Sequence, residues 1–169
     1  LAKKHDLYIV EDCAIALGTK YFGTPVGMLG DCGTHSFHPV KQLTTGEGGM
    51  IVSQNSEFIR KAENFKAFGV TKQFQDRKIG GLYDVISIGS NCRMSEIPAA
   101  IGVEQLKLHD RHEEIRKNNY KLYEQFFLDE PGITALGSSD ISGRSFYTFI
   151  LRLENYSRVM RDAFAYRLK

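Results

Sequence analysis

The chain has 169 residues, with 22 Lys and Arg against 20 Asp and Glu, a formal charge of +2 and 42% hydrophobic residues. This is the composition of a globular domain, not of a disordered tail or a coiled coil. The near-neutral balance lacks the basic stripe that phosphate backbones require, so nucleic acid is not an expected partner. No run of about 18 apolar residues occurs, and the opening Leu1 to Asp6 carries no signal-peptide core, so no membrane contact is expected and the chain reads as cytoplasmic. The 3 cysteines, Cys13, Cys32 and Cys92, form no C-x-x-C pair, which argues for buried thiols and against a disulfide framework or a zinc site; no metal is expected.

Taken in order, Leu1 to Lys4 resembles the last turn of a helix followed at once by a strand over Asp6–Val10, so the chain reads as a piece of a longer one. Leu7 to Val10 is a continuous apolar run ending in Glu11-Asp12, the pattern of a doubly buried parallel strand with polar groups at its carboxyl end. Ligands bind at that edge in open α/β sheets. A glycine-rich stretch leads to a short strand, Thr34 to Phe37, which Pro39 stops, so Lys41 lies on a loop. Thr44 to Gly49 then feeds a second apolar strand, Met50 to Val52, and Ser56 caps a helix running to about Gly69.

From Ser95 the apolar residues Ile97, Ala100, Ile101, Val103 and Leu106 fit helical spacing, and a long charged helix follows over His109–Phe127. Pro131-Gly132 ends it; Ser145 to Leu151 reads as a strand, and a last helix starts at Arg158 and still runs at Leu168-Lys169. The division expected is 1–107 as part of a large domain, 108–128 as a bridging helix and 129–169 as the start of a small α+β domain. Phe126, Phe127, Phe146, Tyr147 and Phe149 read as core. His109 and His112 read as a solvated helix face, and His35 and His38, three apart on an extended segment, make a poor metal pair. Gly23, Gly27 and Gly30 lack the G-x-G-x-x-G spacing of a dinucleotide loop.

Asp12, Ser36 and Lys41 would converge if their strands are sheet neighbours. A lysine among glycines at a ligand edge can form a Schiff base with an aldehyde once its amine is neutral. A carboxylate can pair with a protonated pyridine nitrogen, the pairing that makes pyridoxal phosphate an electron sink. Each residue alone is commonplace, and together they form a chemical set.

The motifs Glu11-Asp12-Cys13-Ala14, Ser36-Phe37-His38-Pro39-Val40-Lys41, Thr44-Thr45-Gly46-Glu47-Gly48-Gly49 and Ser90-Asn91-Cys92-Arg93-Met94-Ser95-Glu96-Ile97 stand in an order and spacing that resembles the DegT/DnrJ/EryC1/StrS sugar aminotransferases. The resemblance runs from residue 1 to about 128 and is only general beyond. It implies an α/β fold of the fold-type I class of pyridoxal-phosphate (PLP) enzymes, here the later part of the large mixed-sheet domain and the start of a small α+β domain. It also implies transamination of a nucleotide-linked keto sugar, with glutamate as amino donor and pyridoxal 5'-phosphate as cofactor.

Lys41 then matches the lysine that holds the cofactor covalently and shuttles a proton. Asp12 matches the partner of the pyridine nitrogen, and Ser36 a hydroxyl on the cofactor phosphate. Asn91 matches an amide that reaches the phosphate from the neighbouring subunit of a homodimer, with Arg93 supporting its loop by ion pairing. The pattern departs at Ile15, where Gln or His is usual, and at Cys92, where an aromatic is usual. A catalytically silent or regulatory protein on the same fold, and a nucleotide-binding module, are the other readings these residues allow. Lys41 argues against the related dehydratases, which have histidine there.

Overall fold

The computed structural model describes residues 1–70, 79, 82–137 and 143–168. After a single helical turn, α1 (Ala2–His5), come β1 (Val10–Asp12), β2 (Lys20–Tyr21), β3 (Thr24–Pro25), β4 (Cys32–Ser36), β5 (Gly49–Val52) and α2 (Ser56–Lys66). They are followed by α3 (Glu96–Lys107), α4 (His109–Phe127), β6 (Ile133–Leu136), β7 (Ile150–Leu153) and α5 (Arg158–Arg167). Lys169, with which the last helix was expected to continue, lies outside the described residues.

The principal sheet has the order β1-β4-β5, with β1 parallel to β4 and β5 antiparallel to it. β2 and β3 form a small antiparallel ribbon, and β6 pairs with β7 in another. The first strand begins later than expected, at Val10, because its ladder to β4 starts at the Val10–Cys32 pair. Before it, Ile9 meets the loop ahead of β4: its N–H donates to Asp31 Oδ2 at 2.7 Å and its carbonyl accepts from Asp31 N at 2.9 Å. Nor is this strand buried within the chain, since Leu7, Tyr8 and Val10 are exposed. Two cysteines, Cys13 and Cys32, are buried as expected, whereas Cys92 is exposed.

The loop Phe37–Gly48 holds the densest packing around this sheet: Phe37, Gln42, Leu43 and Thr45 are all buried. Glycine is required beside it at Gly27, whose φ is +91°, and at Gly33, where a Cβ would collide with Gly27 Cα. For α2 the cap is Asn55 instead of Ser56; its Oδ1 accepts from the N–H groups of Glu57 at 3.0 Å and Phe58 at 3.1 Å. The helix stops at Lys66, and the chain then turns through the left-handed residues Phe68 (φ 65°) and Gly69 (φ 71°).

The long charged helix has the expected bounds, His109–Phe127. Its inner side is aromatic: Tyr120 lies 5.2 Å from the Phe146 ring and 4.7 Å from Phe149, and donates its hydroxyl to the Leu136 carbonyl at 2.8 Å. Phe146 is buried as expected, but Phe126 is 69% exposed and only edges against Phe127. His109 is not on a solvated face. Its ring packs on Gly18, where a Cβ would come within 2.9 Å of Cε1, and its side chain is 12% exposed. Residues Ser145 to Phe149 do not form a strand; the pairing starts at Ile150, opposite Leu136.

Candidate active site

Asp12 pairs with Thr34 across β1 and β4, and Ser36 pairs with Gly49 across β4 and β5. Paired residues share a face and residues two apart along a strand do too, so Asp12, Thr34 and Ser36 stand on one face of the sheet. Asp12 is exposed, and one of its carboxylate oxygens, Oδ1, accepts from Ala14 N at 3.0 Å. The Ser36 hydroxyl accepts from His38 N at 3.4 Å, a long bond that leaves its own proton available to a ligand.

Lys41 follows directly on the loop leaving β4, tethered by its N–H to the His38 carbonyl at 3.0 Å. Around it the loop is fixed from several sides. Thr45 N and Thr44 Oγ1 both donate to the Phe37 carbonyl, at 3.0 and 3.1 Å, while Thr44 N donates to Gln105 Oε1 on α3 at 3.0 Å. Gln42 turns its amide inward, donating to the Ile15 carbonyl at 3.0 Å and to Ser145 Oγ at 3.1 Å. The Lys41 ammonium lies 5.5 Å from the centroid of the Tyr147 ring, and among the described residues that is the group it meets. The lysine is half-buried and is in no ion pair among those residues.

Asn91 lies elsewhere. It is exposed, forms an isolated bridge with Ala67 just after α2, and its Oδ1 accepts from Arg93 Nε at 3.2 Å. It makes no hydrogen bond to Asp12, Ser36 or Lys41 among the described residues, and Ser95, not Asn91, holds the cap position of α3. Arg93 supports this segment differently from the ion pair expected: its guanidinium lies 5.5 Å from the Phe68 ring centroid. Asp12 on β1 and Ser36 on β4 thus share one sheet face, Lys41 follows on the loop leaving β4, and Asn91 lies in a separate segment.

The opposite face of the sheet holds a feature that sequence reasoning missed. Glu11 accepts from three backbone amides, Gly27 at 2.8 Å and Leu29 and Gly30 at 2.7 Å each. Burial would raise the pKa of this carboxyl, but the amides from Gly30, Gly27 and Leu29 outweigh it and hold the group below its ordinary value. His35, on the same face, is pushed down by burial despite the Glu11 charge, and its Nδ1 is buried without a partner. Cys13, beside Asp12, is pushed up by burial first and then by the charges of Glu11 and Asp12, so it is an inert thiol. The available signal for the clamp was a carboxylate next to a loop with Gly27 and Gly30, a common way to gather backbone donors. For Tyr147 and Gln42 no local signal existed, because their partners are far away in the sequence.

Ile15, the departure from the family pattern, contributes its backbone: the carbonyl takes the Gln42 amide, while the side chain is 49% exposed. Among the described residues there is no cluster of ligands suited to a metal ion, and no helix is long and apolar enough to cross a membrane.

The chain is similar to known proteins in sequence and fold. The chain is 35% identical over 159 residues to the UDP-4-amino-4,6-dideoxy-N-acetyl-beta-L-altrosamine transaminase of Campylobacter jejuni, covering 92% of this chain and 41% of that protein. Helicobacter pylori PseC, an aminotransferase of pseudoaminic acid biosynthesis, superposes with a TM-score of 0.83 at 31% identity, covering 91% of this chain and 40% of its own. A Streptococcus pneumoniae chain solved in a PLP-form and a PMP-form superposes with TM-scores of 0.79 and 0.80 at 26% and 28% identity, over 96% and 92% of this chain and 41% of its own. The fold is therefore the mixed α/β fold of the fold-type I PLP aminotransferases, and the chain spans about 40% of the length of the relatives it matches. With its sequence pattern matched over residues 1–169, the chain belongs to the DegT/DnrJ/EryC1/StrS aminotransferase family.

Proposed function

We propose that the protein transfers an amino group from glutamate to a keto group on a nucleotide-linked sugar, using pyridoxal 5'-phosphate. The observation that carries this reading is the donor set: a lysine amine in no ion pair among the described residues, on the loop leaving β4, and a carboxylate and a hydroxyl on one sheet face. An amine suits the cofactor's aldehyde, a carboxylate its pyridinium, and a serine hydroxyl its phosphate. The residues present therefore fit the group. Asp12 has a carboxylate oxygen, Oδ2, with no protein donor among the described residues, which leaves it to accept from the ring N–H.

Bound there, the cofactor supplies an aldehyde and an electron-withdrawing ring that stabilises negative charge at the reacting carbon. Lys41 would hold it through Nζ, and the same amine would take the proton from the donor's α carbon and return a proton to the sugar carbon that gains the amine. Asp12 keeps the ring nitrogen protonated by charge pairing, and Ser36 orients the phosphate end. Asn91 donates its amide to the phosphate in the neighbouring subunit, so the working enzyme is a homodimer with shared sites in the cytoplasm. Residues 1–107 then belong to the large cofactor-binding domain, 108–128 to the bridging helix and 129–169 to the small domain. Support for a nucleotide-sugar substrate comes from the Campylobacter transaminase, whose name specifies a UDP-linked amino sugar.

The test uses the complete gene product with cofactor, glutamate and UDP- or TDP-linked keto sugars, read by mass spectrometry of the amino sugar. Transfer that disappears with Lys41→Ala supports the assignment. No transfer to any keto sugar, while a control enzyme under the same conditions is active, overturns it in favour of a silent protein on the same fold.

A further inference from the structure

The lysine loop is joined to a remote part of the chain at one place. Gln42, next to Lys41 and buried, donates to the Ile15 carbonyl and to the hydroxyl of Ser145, and Ser145 Oγ also donates to the Ile15 carbonyl at 3.4 Å. Ser145 N is held in addition by Thr19 Oγ1 at 3.2 Å. Three segments therefore meet at one knot: the chain just after the Asp12 strand, the Lys41 loop, and the stretch running from Ser145 toward β7. Next to Ser145, Phe146 is buried against Tyr120, which fixes the backbone on its other side. Tyr147 is thus presented between Ser145 and Phe146, anchored before it, and the Ile150–Leu136 pairing after it, and the Lys41 ammonium lies 5.5 Å from its ring centroid.

A free lysine side chain samples many rotamers, and an amine that must reach one aldehyde carbon loses speed with each non-productive orientation. An aromatic face attracts an ammonium and restricts where it resides. We propose that Tyr147 is a positioning residue for Lys41, its ring held over the lysine by the Gln42–Ser145–Ile15 knot so that the amine is presented in one direction for attack on the cofactor. The proposal rests on the cofactor role of Lys41 given above. It assigns work in the lysine's own site to residue 147, which follows Lys41 by more than a hundred positions.

The experiment follows capture of pyridoxal phosphate by the cofactor-free complete gene product. In that step the Lys41 ammonium gives up a proton to solvent, the neutral amine adds to the aldehyde carbon, a C=N bond forms, and the aldehyde oxygen leaves as water. Borohydride reduces the linkage at timed intervals, and mass spectrometry counts the label on Lys41. Pyridoxamine phosphate, which has no aldehyde, reports the affinity of the pocket independently of the lysine. The expected result is that Tyr147→Leu slows capture roughly two- to fivefold, the worth of one ring–ammonium contact, while Tyr147→Phe captures at the parental rate and pyridoxamine phosphate binds all three proteins alike.

Parental capture in Tyr147→Leu overturns the proposal. So does slowing in Tyr147→Phe equal to that in Tyr147→Leu, or a parallel loss of pyridoxamine phosphate affinity, since either would mark a merely structural effect. Should Tyr147→Leu fail to fold, Ser145→Ala loosens the same knot with the ring retained; slower capture with unchanged pyridoxamine phosphate affinity supports the proposal, and parental capture overturns it. Absence of label on Lys41 in the parent protein would sink the cofactor assignment itself, and that arm separates the two failures.

Discussion

The loop that carries Lys41 and the segment that carries Asn91 are built in opposite ways. In the first, Phe37, Leu43 and Thr45 are buried, and the Gln105 side chain on α3, the Ile15 carbonyl and the Ser145 hydroxyl take up the polar groups. In the second, the backbone is well bonded, with Ser90 N donating to Phe65 O at 2.7 Å and Cys92 N to Lys66 O at 3.0 Å, yet the side chains point outward. Val85, Ile86 and Ile88 are exposed, Ile88 at 91%. Among the described residues, the Lys41 loop is packed within the chain, whereas the Asn91 segment presents uncovered apolar side chains.

The largest effect that would sharpen this contrast is on activity. Lys41→Ala in the complete gene product should lower the transfer rate on the order of 10²–10⁴-fold or more by removing the proton carrier, with melting temperature unchanged because among the described residues the ammonium is in no ion pair and lies by the Tyr147 ring. Steady-state rates and a thermal melt check both halves. Next in size is packing. Leu43, 4% exposed, should cost about 2–5 kcal/mol on truncation to Ala, whereas Ile88→Ala in the outward segment should stay within about 0.5 kcal/mol for the isolated chain. Urea unfolding midpoints distinguish them, and equal losses would break the comparison.

An acid titration probes the far face of the same sheet. His35 is neutral in the fold below its ordinary value of 6.5, so the unfolded chain binds its proton first and stability is lost as pH falls from there. Glu11, held below 4.5 by its three amides after opposing burial, adds a second loss as pH drops through its lowered value. The His35 and Glu11 contributions should accordingly be lost in turn as pH falls below about 6.5, and Glu11→Gln should reduce the loss at the lower pH. The smallest effect is at a helix end: Asn55→Ala removes the acceptor for Glu57 and Phe58 and should cost about 1 kcal/mol.

Much of this was legible in the primary structure where the signal was local. The bounds of α4 follow from a helical pattern closed by Pro131-Gly132, and Lys41 falls on a loop because Pro39 cannot extend the strand. What misled was partnership. A strand begins where a neighbour pairs with it, so β1 starts at Val10 even though the apolar run starts at Leu7. β6, a four-residue run, went unread although Gly132 (φ 74°) and Gly137 (φ 93°) bracket it, and its partner Ile150–Leu153 was placed too early because Ser145 to Phe149 share its aromatic, β-prone composition. Asp12, Ser36 and Lys41 stand within local motifs, whereas Glu11, Gln42 and Tyr147 contact groups distant in sequence, which no local pattern encodes.

The contrast between an inward lysine and an outward asparagine is tested most directly by mixing subunits. Lys41→Ala and Asn91→Ala proteins, each inactive or nearly so, are unfolded together, refolded at equal amounts and assayed for amino transfer. If Asn91 completes the neighbour's site, half of the dimers are hybrids with one intact site of two, and activity should return to about a quarter of the parental value. Activity that stays at the average of the two parents would contradict a shared site and return Asn91 to its own chain.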